Sequence, residues 1–145
     1  MGNIVFNVAK GRIAHYASLP ATNDAIVVVP LENSGLEADS VLEDYDTLAA
    51  ILAGASNEQT TVGRKTVTVV TVTVDDTNNR VNIDMGDLSW LTPSGNQIGA
   101  LVFCYEPDTT GGTDSDLIPL TKQDWVITPE GDEIKATVAD FARAT

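Results

Sequence analysis

The chain has 145 residues, enough for one domain with its own hydrophobic core, and 43% hydrophobic against 20% charged residues argues against disorder throughout. With 21 acidic residues against 8 basic ones the net charge is −13, the wrong sign for sequence-independent binding to nucleic acid or to an anionic membrane surface. A single cysteine, Cys104, and a single histidine, His15, exclude an internal disulfide framework, a cysteine-rich zinc site and most histidine-based catalytic schemes.

Residues 1–23 contain no Asp or Glu but do contain Lys10 and Arg12; the first acid is Asp24. This split predicts a basic N-terminal arm over 1–20 and a single acidic β-rich domain over 21–145. Residues 1–10 lack a basic stretch followed by a long apolar run, so no secretory signal is expected. Ile4–Val8 reads as a short strand or extended arm, and 9–19 as a helical turn or two, weakened by Gly11 and closed by Pro20. Ala25–Val29 is a continuous, largely β-branched run ending at Pro30, the pattern of a buried strand and far too short to span a bilayer. Asn33-Ser34-Gly35 marks a turn.

Val41, Leu42, Tyr45, Leu48, Ala49 and Leu52 recur at three- and four-residue spacing, which predicts one α-helix over about 40–53. Ser40 with Glu43 matches a capping box, and Gly54 stands where a left-handed C-terminal cap belongs. From residue 60 the composition turns to β. Thr66–Val69 and Val70–Val74 both alternate, but with the parity shifted by one, so either a bulge or a break between two strands is expected near Val69-Val70. The turn residues 75–79 and the alternation of 80–85 complete a hairpin with Val72, Val74, Val81 and Ile83 on its core face. Ile98–Tyr105 reads as a central strand buried on both faces, and Trp125–Ile127 as another. After a turn at 129–132, Ile134–Val138 is expected to pair back as the last strand, followed by a tail or helical turn over 139–145. The predicted fold is mainly β: an antiparallel sandwich or small barrel with one helix and an extended N-terminal arm.

No constellation of catalytic groups emerges. The polar loop 106–116 offers Asp108, Asp114 and Asp116, but not at EF-hand offsets, and solvated turn residues explain them. Asp75-Asp76 sits in a turn, and Glu43, Asp44 and Asp46 lie near a predicted helix start, where local hydrogen bonding explains carboxylates without acid–base catalysis. His15 has no nucleophile motif to serve, and Cys104 lies inside an apolar strand where a thiol is inert. Trp90 and Trp125 are core anchors or, if exposed, sugar-stacking platforms. No cofactor, no metal and no enzymatic activity are expected; a stable acidic β domain of this kind binds or assembles.

Five stretches carry a resemblance. Asn3–Arg12 (Asn-Ile-Val-Phe-Asn-Val-Ala-Lys-Gly-Arg), Gly35–Asp39, Tyr45–Gly54, Asp75–Val81 and Leu101–Tyr105 with Asp108–Asp116 resemble a family of small virion structural proteins of tailed bacteriophages. The resemblance implies a head decoration, or cement, protein on the outer capsid surface, made in the host cytoplasm. It implies as partners the major capsid protein and other copies of the chain in a homo-oligomer, with a trimer favoured. Tail and connector roles, or a carbohydrate-binding adhesion module using a tryptophan, remain as alternatives. The residues expected to contact the shell or a neighbouring copy are Ile4, Val5, Phe6, Lys10 and Arg12, because an acid-free, apolar and basic segment complements an acidic body.

Overall fold

Among the described residues, 2–20 and 22–144, the computed structural model has ten strands and three short α-helices. In chain order they are β1 (Ile4–Val5), α1 (Ile13–Ser18), β2 (Ala25–Glu32), α2 (Asp39–Leu42), α3 (Leu48–Ala53), β3 (Lys65–Val67), β4 (Val70–Asp75), β5 (Arg80–Met85), β6 (Leu88–Trp90), β7 (Ile98–Glu106), β8 (Ile118–Ile127), β9 (Ile134–Ala136) and β10 (Ala142–Ala144). A 3-10 turn over Asn7–Ala9 follows β1. The strands form three antiparallel sheets: five strands in the order β1-β8-β7-β2-β3, three in the order β10-β5-β4, and the pair β6-β9. The five-stranded sheet ends at β1 and β3, which do not meet, so the fold is a mainly β, sandwich-like arrangement and not a closed barrel.

The two long apolar runs are central because they are buried on both faces. Val28 of β2 lies opposite Phe103 of β7, and Ile26 opposite Tyr105; these belong to one core, shared with Ile83, Met85 and Trp90 of the smaller sheets, with Phe141 just before β10 and with Ile13 and Ala17 of α1. The intervening residues Val27, Val29 and Leu31, opposite Cys104, Val102 and Ala100, point the other way. Val27, Val29, Leu31, Val102 and Cys104 join a second core with Leu42 of α2 and with Leu48 and Ile51 of α3. A strand covered on both sides reads as a continuous apolar run because neither face needs polar residues. β2 also runs through Pro30, where the sequence predicts an end. The Pro30 carbonyl accepts from the Gln59 N–H (2.9 Å), so its missing N–H faces the irregular segment that precedes β3 and removes no bond to β7.

The helix expected over 40–53 is two short helices. The Glu43 carbonyl, which would propagate one helix, accepts instead from the Asn7 N–H (2.8 Å), while the Leu48 and Ala49 N–H groups bond to the carbonyls of Leu117 (3.0 Å) and Asp114 (2.9 Å). Tertiary partners thus take the groups that the helical ladder needs. The Ser40–Glu43 box is not the cap: Ala38 precedes α2 without a side-chain bond, and the Thr47 hydroxyl caps α3 by accepting from the Ala50 N–H (3.2 Å). Gly54 has φ of −77°, so it is not a left-handed cap.

The parity shift at 69–70 is a break between strands: β3 closes the five-stranded sheet and β4 the three-stranded one. The β4–β5 hairpin has the expected register, Val72 opposite Ile83 and Val74 opposite Val81, but only Val72 packs against the core, and Val74 is 68% exposed. Trp125–Ile127 is not a strand buried on both faces but the end of β8, where Val126 is 65% exposed. β9 does not pair back on it; it pairs with β6, which buries Ile134 and Ala136 beside Trp90 and Leu88. The expected C-terminal tail is instead β10 on β5, anchored by Phe141 stacked on Phe103 (centroids 5.3 Å, planes 7° apart).

Nor is the opening segment an extended arm separate from the body. Ile4 and Val5 pair with Lys122 and Thr121 as the edge of the large sheet, and Phe6, Ala9, Ile13 and Ala17 are buried. A chain that can sink four apolar side chains into two cores gains more by docking than by extending into water. The expected boundary at 20/21 touches Ala21, outside the described residues. No helix among the described residues is long and apolar enough to cross a membrane.

Candidate functional site

The five residues singled out in the sequence fall into two groups. Ile4 and Val5 are half-buried on opposite faces of the sheet edge, and Phe6 is fully buried in the helix-side core, so these three hold the segment in place. Lys10 and Arg12 are exposed. They lie around the sharp bend between the 3-10 turn and α1, where Gly11 takes φ of +78°, a left-handed conformation that glycine adopts without strain. Lys10 Nζ donates to Asn7 Oδ1 (2.6 Å) and stands 3.5 Å from Glu43 Oε2; Asn7 Nδ2 in turn donates to Asp44 Oδ1 (2.6 Å). The basic residues are therefore presented from an ordered bend, with the first of them leaning on the acidic end of α2.

What fastens this segment is a residue that sequence reasoning missed. Lys122, in the middle of β8, is fully buried, and its Nζ lies 2.6 Å from Asp39 Oδ1 and 2.6 Å from Asp124 Oδ1. Asp39 Oδ2 accepts from the Gly2 N–H (2.6 Å), and Asn3 Oδ1 accepts from the Asp124 N–H (2.8 Å). Burial alone would raise the Asp39 pKa, but the Lys122 ammonium and the Gly2 N–H outweigh it and hold the carboxyl below its ordinary value. A buried ammonium is tolerable only with such partners. The single signal in the sequence is a lysine flanked by Thr121 and Gln123 within an apolar-ended strand; which acids meet it depends on the fold.

A second cluster ties down the acidic loop. Arg64 Nε and Nη2 each lie 2.7 Å from a carboxylate oxygen of Glu58, while Nη1 and Nη2 reach both oxygens of Asp114 (2.7 and 3.2 Å). Two-pronged pairing of this kind fixes geometry as well as charge. The other two acids of the loop are held locally. Asp108 accepts from the hydroxyl and N–H of Thr110, from the Gly111 N–H and from Asn23, which draws its pKa down to about 2. Asp116 accepts from the N–H and hydroxyl of Thr113, which also lowers its pKa. Each of the three aspartates is thus committed to a different protein partner, and among the described residues no three His, Cys, Asp or Glu side chains converge to hold a metal ion.

Trp90 is only 3% exposed; its indole N–H donates to the Gly63 carbonyl (3.0 Å), and Lys65 Nζ lies 5.5 Å over its ring. It is a core anchor and offers no stacking face. Trp125, 5.5 Å from Trp90, is half-buried and borders a cavity of about 200 Å³ with Leu101, Phe103, Val138 and Phe141. Cys104 is fully buried, and burial pushes its thiol pKa up, away from nucleophilic use. Tyr105, raised to about 12 by burial and by donating to Asp24 (2.9 Å), stays protonated.

No protein-family model, curated protein or solved structure matches the chain. The site is therefore read from its own geometry: an ordered basic bend, Lys10-Gly11-Arg12, on the surface of a body whose net charge is −13.

Proposed function

We propose that the protein is a bacteriophage virion structural protein, a head decoration subunit that binds the outer surface of the major capsid protein and stabilises the head. The observation that carries the reading is the N-terminal segment. It belongs to the stretch Asn3–Arg12 that resembles such proteins, and it presents Lys10 and Arg12 from a bend fixed by Phe6 and by the Lys122 cluster. A pre-ordered basic patch on an otherwise acidic body selects an acidic partner surface and orients the subunit on it. Repeated copies on a symmetric shell need only modest affinity each, because neighbouring attachments reinforce one another. The acidic remainder suits a position outside the shell, away from packaged DNA.

The test is co-sedimentation with empty heads of the phage that encodes the protein. Removing residues 1–12 would also remove Phe6 from the core, so the informative variant is Lys10→Glu with Arg12→Glu, both exposed. The wild type is expected to sediment with the heads, and the double variant to bind about tenfold more weakly or worse, since like charges then face each other. A wild type that stays in the supernatant would overturn the decoration reading; an unaffected double variant would overturn the role of the bend.

A further inference from the structure

The segment 65–75 closes both larger sheets on one side of the molecule. β3 is the last strand of the five-stranded sheet, β4 is the last strand of the three-stranded sheet, and only Thr68 and Val69 separate them. Exposed strand edges are ordinarily guarded by charges, proline or bulges, because their unpaired N–H and C=O groups accept another strand. Here the nine residues from Thr66 to Val74 carry no charge and no proline. Val69 is 76% and Val74 68% exposed, and the six paired residues of β4 match β5 without a bulge.

We propose that the β4 edge is a self-association seam, which pairs antiparallel across a two-fold axis with the β4 edge of a second copy of this chain. The residue order itself names the occupant. Val70-Thr71-Val72-Thr73-Val74 reads the same in both directions. A two-fold axis through Val72 places Val70 of one copy opposite Val74 of the other, Thr71 opposite Thr73, and Val72 opposite Val72. Valine meets valine on the face shared with Ile83, threonine meets threonine on the solvent face, and both are favourable cross-strand pairs. The exposed Val74 gains the neighbour that its own sheet does not supply. A slip by one residue sets valine against threonine and turns one subunit's core face outward, and a slip by two leaves part of the run unmatched and sets Thr71 opposite Asp75, so only the axis at Val72 pairs the whole run like with like.

Charge points the same way. Two bodies of −13 repel over most of their surfaces, and this uncharged strip is where they can approach without opposing like charges. The nearest acid on the strand, Asp75, is engaged by Arg80 Nε (3.2 Å) and by Asn78, and in the paired register it faces Val69 of the other copy. The two three-stranded sheets then join into one sheet of six. Such an isologous contact closes on itself as a dimer, in place of the trimer favoured by the sequence resemblance. The seam is argued from β4 residues alone and does not rest on what Lys10 and Arg12 bind.

Light scattering after size exclusion, over a range of concentrations, tests the assembly, and two single-cysteine variants test the register. The wild type is expected to form a dimer with dissociation on the order of micromolar, as a small one-strand contact implies. Thr71→Lys with Thr73→Lys, both on the exposed face, should weaken it by about tenfold or more by setting lysine opposite lysine. Because Cys104 is buried, Thr71→Cys and Thr73→Cys each add one accessible thiol. Under mild oxidation a mixture of the two should cross-link at least severalfold faster than either alone. A monomer at every concentration, a trimer, a dimer indifferent to the lysines, or cross-linking no faster in the mixture would each overturn the proposal; circular dichroism of each variant shows whether it is folded.

Discussion

Lys122 carries the clearest consequence at the scale of single residues. Its ammonium is fully buried against Asp39 and Asp124, and the same two residues hold the chain just before β1: the Asp39 carboxylate accepts from the Gly2 N–H, and the Asp124 backbone N–H donates to the Asn3 side chain. Both carboxylates keep water access, with side-chain exposures of 25% and 30%, so without the ammonium they lose a partner but are not left dry. Lys122→Met should therefore destabilise the protein by about 1–3 kcal/mol, measured by urea unfolding. Combining it with Asp39→Asn and Asp124→Asn should restore part of that loss, because the orphaned charges are then gone. In hydrogen exchange the single variant should lose protection first at Ile4 and Phe6, whose segment the cluster fastens. The sequence showed a lysine within a strand; it could not show that two acids, one of them 83 residues earlier, converge on it.

At the scale of elements, backbone approach decides where strands bend. The β7 ladder is irregular on both sides near Gly99, between Ile98 and Ala100, because Asn33 lies against it. A Cβ at Gly99 would fall 2.7 Å from the Asn33 Cα, a backbone atom that the Asn33 N–H bond to the Gln97 carbonyl holds in place. Gly99→Ala should cost about 1–3 kcal/mol in thermal or urea unfolding, as overpacking does. Gly86→Ala, where the added methyl meets nothing within 4 Å, should be close to neutral in the same measurement. The same logic explains the split helix. The apolar spacing from Val41 to Leu52 was legible, yet Asn7 takes the Glu43 carbonyl, and Leu117 and Asp114 take the Leu48 and Ala49 N–H groups, so the two pieces do not join. Periodicity reports which residues seek the core; it does not report which carbonyls a distant segment will claim.

For the whole molecule, acid stability follows from carboxylates held in their charged form. Asp39, Asp75, Asp108 and Asp116 are all shifted below the ordinary aspartate value of 3.8, Asp108 to about 2. A depressed folded-state pKa stabilises the fold above the unfolded value and ceases to do so as pH falls through the lowered one. Lowering the pH from 7 towards 4 also reduces self-repulsion from the charge of −13. Thermal melts followed by circular dichroism should therefore show no loss of stability from pH 7 to about 4, then a progressive loss between about 4 and 2. An earlier fall, near pH 5 or 6, would contradict the assignment of these four groups.

The local pattern of residues was enough to specify the character of the protein: mainly antiparallel β, acidic, with a buried strand at 25–29, a strand at 98–105 buried on both faces and a hairpin over 70–85. Those features rest on local alternation, turn residues and charge, which neighbouring residues specify. The tertiary structure alone decided that the opening segment docks on β8, that β9 pairs with β6 and not with Trp125–Ile127, that the last residues form a strand, and that Lys122 rather than a surface cation anchors the N-terminus. The physical reason is common to all four. Each depends on a hydrogen bond, an ion pair or a buried side chain whose partner lies far away in the chain, and spacing along a sequence carries no record of such partners.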